Sequence, residues 1–395
     1  METLNNYPMI LVHGFSGWGD QELAGKLCPY FGMYKTSVEK FYEHLGVECY
    51  TPSIGPFSSC WDRACELYAQ LKGGRVDYGK VHSEKNGHKR YGKRFKAMVP
   101  DWGQLSKDGK IKKVNLIGHS MGAPTVRVLV DLLVNGNAEE REGTPEKELS
   151  DLFKGGKEKW VHSVTTLAGA NGGISSLYAI EKVREPIAKA VLYLFSFLGN
   201  TPISKFYDTG LAQFGINDEP SWFNFSGDVR TKEIEKYLNS DDCVLNDLIV
   251  HTALERMKDF KPYDSIYYFA YAGCTTKPGI GGKHHGALKM LLPLRPVAYI
   301  LGHYTHKKAD ANHAAIGPQY FPNDGMVNVV SARAPQDEPQ TDFESNSACK
   351  PGIWYNMPVE YKYHQSYMGM GEPRDVYWKF FYDILDRVNN LESID

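Results

Sequence analysis

No stretch of this 395-residue chain approaches the length and apolarity of a membrane-crossing helix, which excludes an integral helical membrane protein. Neither sign of charge dominates: 45 Lys and Arg stand against 47 Asp and Glu, a net charge of −2. Without a basic stripe there is no electrostatic footprint for nucleic acid, and the locally basic run 80–96 reads as a solvated loop. Cysteine is sparse and scattered. Cys28, Cys49, Cys60, Cys65, Cys243, Cys274 and Cys349 are odd in number and form no C-x-x-C pair, so they define neither a disulfide framework nor a thiolate metal site and read mostly as buried thiols. There is no internal repeat and no low-complexity tract, which excludes solenoids and disordered arrays. Met1-Glu2-Thr3-Leu4 lacks the charged and apolar regions of a secretory leader, so the expectation is a cytoplasmic protein or one whose leader was trimmed.

What the chain does have is alternation. Short apolar runs at 8–12, 47–51, 114–117, 161–167 and 266–272 read as strands, and 37–45, 61–71, 123–133 and 374–390 as helices. The pattern predicts an α/β protein with a mainly parallel central sheet flanked by helices. Residues 1–395 are expected to form one domain, with 176–262 as a helical cap inserted in it; the Pro/Gly-rich stretch 277–283 reads as a loop.

The strand at 114–117 runs into Gly118-His119-Ser120-Met121-Gly122 and then into a helix. A G-x-S-x-G between strand and helix is the nucleophile elbow of the α/β-hydrolase fold, which makes Ser120 the candidate nucleophile. Upstream, the strand at 8–12 ends in His13-Gly14-Phe15-Ser16-Gly17, a glycine-rich turn whose backbone is free to face an oxyanion. Acyl transfer needs two such amides, one after the nucleophile and one after an early strand, so the N–H groups of Met121 and Phe15 are the candidates. The expected chain order then asks for an acid followed by a histidine. Asp324 in Asn323-Asp324-Gly325, expected at a strand end, is the acid, and His364 in Tyr363-His364-Gln365 is the base. Asp62, at a helix start, together with His82 and His88 makes an acceptable start to a tetrahedral zinc set, although by spacing alone these histidines read as surface residues. His303, His306, Asp310 and His313 offer further metal-binding residue types but match no motif and read as an exposed loop.

His13-Gly14-Phe15-Ser16-Gly17-Trp18-Gly19, Gly55-Pro56-Phe57-Ser58-Ser59 with Trp61-Asp62-Arg63-Ala64, Val76-Asp77-Tyr78-Gly79 and Asn323-Asp324-Gly325 together resemble the thermoalkalophilic, zinc-binding bacterial lipases. The resemblance covers nearly the whole chain and thins between 176 and 263. It implies an α/β-hydrolase fold, a lid, Ser120, Asp324 and His364 at the catalytic positions, and Phe15 and Met121 at the oxyanion hole. Met121 stands where these lipases usually carry Gln, a side-chain change at a position where the backbone does the work. The resemblance also implies structural zinc held by Asp62, His82, His88 and, from the cap, Asp247. Calcium beside the catalytic histidine is a family feature as well, but Gln365 and Ser366 stand where an acidic ligand is expected and only Glu372 is near the second position. Secretion is implied by the same resemblance.

In the cap, Val183, Ile187, Val191, Leu194, Phe195 and Leu198 recur at helical spacing, with Trp222, Phe223 and Phe225 nearby. Such a stripe reads either as packed core or as a lid face that turns toward a lipid surface. The sequence therefore predicts a serine ester hydrolase acting on hydrophobic esters at an interface, of triacylglycerol lipase type, with no protein partner implied. The alternatives are a carboxylesterase for short soluble esters, with polyesters as further substrates, and a non-catalytic lipid-binding module on the same fold.

Overall fold

Apolar runs that are buried along their whole length suit a sheet covered on both faces, and seven strands form such a sheet with every neighbouring pair parallel. The structure, a computed structural model, describes residues 4–33, 37–107, 109–181, 207–216 and 227–394, with the backbone alone for 227–231. The strands are β1 (Met9–Val12), β2 (Cys49–Tyr50), β3 (Val114–His119), β4 (Val161–Leu167), β5 (Tyr267–Tyr271), β6 (Gln340–Asp342) and β7 (Trp354–Asn356). Their order across the sheet is β6-β7-β5-β4-β3-β1-β2. Val12 pairs with Gly118 and His119 with Leu167, so the C-terminal ends of β1, β3 and β4 lie side by side. This is the edge at which open parallel sheets hold their ligands.

Helices α1 (Val38–His44), α2 (Cys60–Lys72), α3 (Lys80–Asn86), α4 (Gly122–Asn135), α5 (Gly227–Leu238), α6 (Val244–Leu248) and α7 (Arg374–Asn389) concern us here. On one face of the sheet α2 and α4 pack together, burying Leu67, Leu71, Val126, Leu129 and Leu133 with Val12, Leu116 and Val164. On the other, Tyr42 of α1 and Phe381 and Ile384 of α7 close over Met9, Leu11, Ile117 and Phe269. A third apolar cluster lies over the C-terminal strand ends: Phe57, Met121 and Val327 meet Leu211, Phe214, Ile234, Tyr237 and Val244 from the expected cap.

Three expectations change. Residues 80–96 are not a loop. The segment forms α3, stopped by Gly87 in the left-handed region (φ 69°), and then the strand Tyr91–Phe95, antiparallel to Gly74–Asp77. Thr276–Pro278 and His284–Gly286 likewise make a two-stranded ribbon around the glycines. Strands β6 and β7 were not expected; Gln340-Thr341-Asp342 is an exposed edge strand whose polar side chains carry no burial pattern. Four of the seven cysteines are buried thiols and all seven are unpaired. The stripe from Val183 to Leu198, with Trp222, Phe223 and Phe225, lies outside the described residues, and among those described no helix is long and apolar enough to cross a membrane.

Candidate catalytic site and metal group

Ser120 follows the last residue of β3 and has φ 55°, a left-handed conformation that costs a non-glycine residue on the order of 1 kcal/mol. Its neighbours have to be small for this turn to close. A Cβ on Gly118 would lie 2.4 Å from the Gly122 carbonyl oxygen, one on Gly122 would lie 2.3 Å from that of Val12, and one on Gly14 would lie 2.7 Å from Ser120 Cβ. The Ser120 N–H is committed to the Leu167 carbonyl at 3.0 Å, which ties the elbow to β4. By contrast, the N–H groups of Phe15 and Met121 take no hydrogen-bond acceptor among the described residues, as amides reserved for an oxyanion would.

The turn after β1 is held from beneath. Arg63 of α2 is fully buried, and its guanidinium donates to Gly55 O at 2.8 Å, to Thr125 Oγ1 at 2.9 Å and to the His13 carbonyl. His13 itself is buried between the carbonyls of Gly14 (2.9 Å) and Ile54 (3.1 Å). Burial, then the neighbouring Arg63 charge, pulls its pKa down to about 3, so it stays neutral. The Gly14 N–H donates to Tyr30 Oη at 3.0 Å, and Tyr30 stands 2.8 Å from His119 Nδ1. Burial and the nearby His364 hold His119 neutral, so Nδ1 accepts from Tyr30 and Nε2 donates to the His364 carbonyl at 3.2 Å. One chain of hydrogen bonds thus connects the turn after β1, the strand before Ser120 and the loop of His364.

Asp324 and His364 meet in the interior. The His364 N–H bonds the Asp324 carbonyl at 3.0 Å, and ring nitrogen Nδ1 faces Asp324 Oδ2 at 2.8 Å. The other carboxylate oxygen accepts from the N–H groups of Met326 (2.9 Å) and Val327 (2.8 Å), so the carboxylate is aimed by its own turn. That turn does not lead from a strand, as expected, but into the short helix Val329–Ala332. The His364 ring packs on His119, centroids 4.7 Å apart, which brings the base against the residue preceding Ser120. No hydrogen bond joins Ser120 to His364 among the described residues.

A second constellation lies beneath the expected cap. Asp62 in the first turn of α2, His82 on α3, His88 just after it, and Asp242 between α5 and α6 bring four ligand atoms within 4.8 Å of one another. His82 Nε2 is 3.5 Å from Asp62 Oδ1 and 3.2 Å from Asp242 Oδ2, and His88 Nε2 is 3.2 Å from the same oxygen. These separations match the edge of a tetrahedron about a zinc-sized ion, about 3.3 Å. All four atoms are buried without a hydrogen-bond partner, while their outer neighbours are satisfied: Gln213 donates to Asp62 Oδ2 at 2.8 Å and His88 Nδ1 bonds the Lys89 carbonyl at 2.9 Å. Burial opposes charge on His82, but the carboxylates of Asp242 and Asp62 outweigh it and raise its pKa to about 10. The residues therefore fit a metal ion.

Asp247, expected as the fourth ligand, is not in this group. Its carboxylate accepts from the Cys60 N–H at 2.6 Å and pairs with Arg256, which uses both oxygens elsewhere. Asp242 takes its place, and sequence reasoning missed it because the two aspartates lie only five residues apart around the start of the same short helix and neither carries a motif. Arg63 was missed as well, although an arginine on the buried face of α2 was a readable signal.

The family described as "Lipase-like, C-terminal domain" matches residues 5–386. The chain belongs to that family. It is similar to a Staphylococcus epidermidis lipase, 33% identical over 99% of this chain and 54% of the relative, and to lipase 1 of Staphylococcus aureus, 32% identical over 99% and 55%. The chain thus spans about half the length of the curated relatives it matches. Among solved structures, Staphylococcus hyicus lipase superposes with a TM-score of 0.83 at 30% identity, covering 100% of this chain and 98% of that one. Lipase 1 from Pelosinus fermentans gives 0.79 at 34% identity, covering 97% and 99%. The bacterial lipase resemblance and the α/β-hydrolase fold both stand.

Calcium, implied by the family, does not fit this chain. Glu372 faces the Lys289 ammonium at 2.9 Å and Glu360 faces Lys362 at 2.9 Å, so these two carboxylates already have cations, Asp324 is committed to His364, and Gln365 and Ser366 are neutral.

Proposed function

We propose that this protein is a serine ester hydrolase of the lipase type. His364, oriented by Asp324, takes the Ser120 proton as Oγ attacks the ester carbonyl, and the N–H groups of Phe15 and Met121 receive the oxyanion. The protonated His364 then gives its proton to the departing alcohol. Water, deprotonated by the same imidazole, releases the acid from Ser120 and restores the enzyme. The observation that carries this reading is the conjunction of a strained Ser120 at a strand end with a buried Asp324–His364 pair against the preceding residue. The names of the staphylococcal and Pelosinus relatives support the lipase assignment.

The metal is read as zinc, because two imidazoles and two carboxylates in a closed set suit it better than a hard dication. With no position left for substrate, such an ion ties the segment around Asp242 to α2 and α3 and takes no part in hydrolysis. We read residues 1–395 as one domain with 176–262 as its cap, a lid on the strength of the stripe from Val183 to Leu198. Substrates are hydrophobic esters presented at an interface, and secretion belongs to this reading through the resemblance. The deciding experiment is hydrolysis of an ester chain-length series below and above each substrate's solubility. A rise in rate beyond the solubility limit is expected; a preference for short dissolved esters would make the enzyme a carboxylesterase, and no hydrolysis at all would leave a lipid-binding module.

A further inference from the structure

The loop from His306 to Ile316 closes on itself, its end residues exchanging backbone hydrogen bonds of 3.0 and 2.8 Å. Within it, one ligand atom each from His306, Asp310 and His313 fall within 4.8 Å of one another. His306 Nε2 is 3.4 Å from Asp310 Oδ2, His313 Nδ1 is 2.9 Å from Oδ1, and the two imidazoles lie 4.9 Å apart. Outside the loop, Glu181 Oε2 stands 3.2 Å from His313 Nε2. A histidine that ligates a metal through one nitrogen characteristically gives its other N–H to a carboxylate, which fixes tautomer and ring orientation, and Glu181 occupies that position. The loop is anchored too: Tyr178 Oη accepts from the N–H groups of Ala314 (3.0 Å) and His251 (2.7 Å), and its ring lies 4.9 Å from that of His313.

We propose that His306, Asp310 and His313 form a second metal site, for a divalent transition cation of the zinc class, with Glu181 as its outer carboxylate. Two imidazoles and one carboxylate select such an ion over calcium or magnesium, whose ligands are oxygens. Three protein ligands leave a coordination position to water, and Asp310 is exposed with both imidazoles partly so, so this ion exchanges freely, unlike one enclosed by Asp62, His82, His88 and Asp242. Glu181 and Tyr178 belong to the segment that leads into the expected cap, so occupancy fastens the loop to the point where that segment leaves the core.

The test is a calorimetric titration of the protein as purified, dialysed into metal-free buffer without chelator, with zinc chloride. The wild type is expected to take up one further equivalent. His306→Ala/His313→Ala is expected to lose that equivalent while its tightly held metal, by elemental analysis, is unchanged. Glu181→Gln should bind it about 10- to 100-fold more weakly. His306→Gln/His313→Gln, which keeps polar contacts without imidazole, stands in if the alanine variant melts early. A wild type that takes up no further zinc, or a double variant that takes it up undiminished, overturns the proposal.

Discussion

Ser120 is held in a conformation that side chains avoid, and the glycines on either side are there because backbone passes where their Cβ atoms would be. Ser120→Ala keeps the backbone and removes only the hydroxyl, so the fold should survive while ester hydrolysis falls by about a thousandfold or more; His364→Ala should fall nearly as far and Asp324→Ala somewhat less. Rates on purified variants with matched melting temperatures check this, and a variant keeping more than a few per cent of activity removes its residue from the proposed triad. His13 supplies a pH prediction. Its folded pKa of about 3 lies below the ordinary 6.5, so the unfolded chain binds the extra proton over that window, and stability is lost as pH falls from 6.5 toward 3. The slope is about 1.4 kcal/mol per pH unit for one proton. Denaturant midpoints of wild type and His13→Asn across this range should converge on acidification; parallel curves would show that His13 does not charge on unfolding. Part of the site was legible in the sequence: Ser120 and the two amides come from local glycine-rich motifs, whereas Asp324 and His364 come from the expected chain order and the resemblance and carry no motif of their own. What no motif encodes is the Tyr30–His119 connection, because its members lie far apart in sequence and meet only through the pairing of β1 with β3.

At the scale of elements, the distinction between Asp242 and Asp247 is decided by how the chain turns into α6. Asp247 lies in the helix itself, where its carboxylate reaches the start of α2, whereas Asp242 precedes the helix and reaches His82 and His88. Asp242→Ala should therefore purify with little tightly bound zinc. Asp247→Ala should retain its metal and lose about 1–3 kcal/mol of stability from the unsatisfied Cys60 N–H and Arg256. Elemental analysis beside thermal melts separates the two, and metal loss in the Asp247 variant alone would reverse the assignment. The sequence made the buried strands and the long helices readable because their apolar residues recur at the right period. It hid β6, which is polar at a sheet edge, and α3, whose lysines resemble a solvated loop until Gly87 and the pairing of Tyr91–Phe95 are seen.

For the molecule as a whole, a parallel sheet covered on both faces carries the strand ends, while the apolar cluster over them is shared between core and expected cap. Chelation should lower the melting temperature before it lowers the rate on a short soluble ester, since a closed metal site contributes folding energy. Loss of rate at an unchanged melting temperature would point to a metal acting on substrate. The layers were legible from the alternation of strands and helices; a ligand from the expected cap came only through the resemblance, and with the wrong aspartate, because a ligand contributed from so far along the chain leaves no local spacing to read.

That distant ligand has a kinetic meaning. Asp62, His82 and His88 lie on the core side, and Asp242 closes the set from the other. An ion seated there leaves only when the stretch around Asp242 lifts away or an incoming chelator strips it in place. If zinc is the ion held there, its exchange for radioactive zinc, followed with time, keeps a count of openings, and a faster exchange on lipid vesicles would show that a lipid surface draws that stretch off the core.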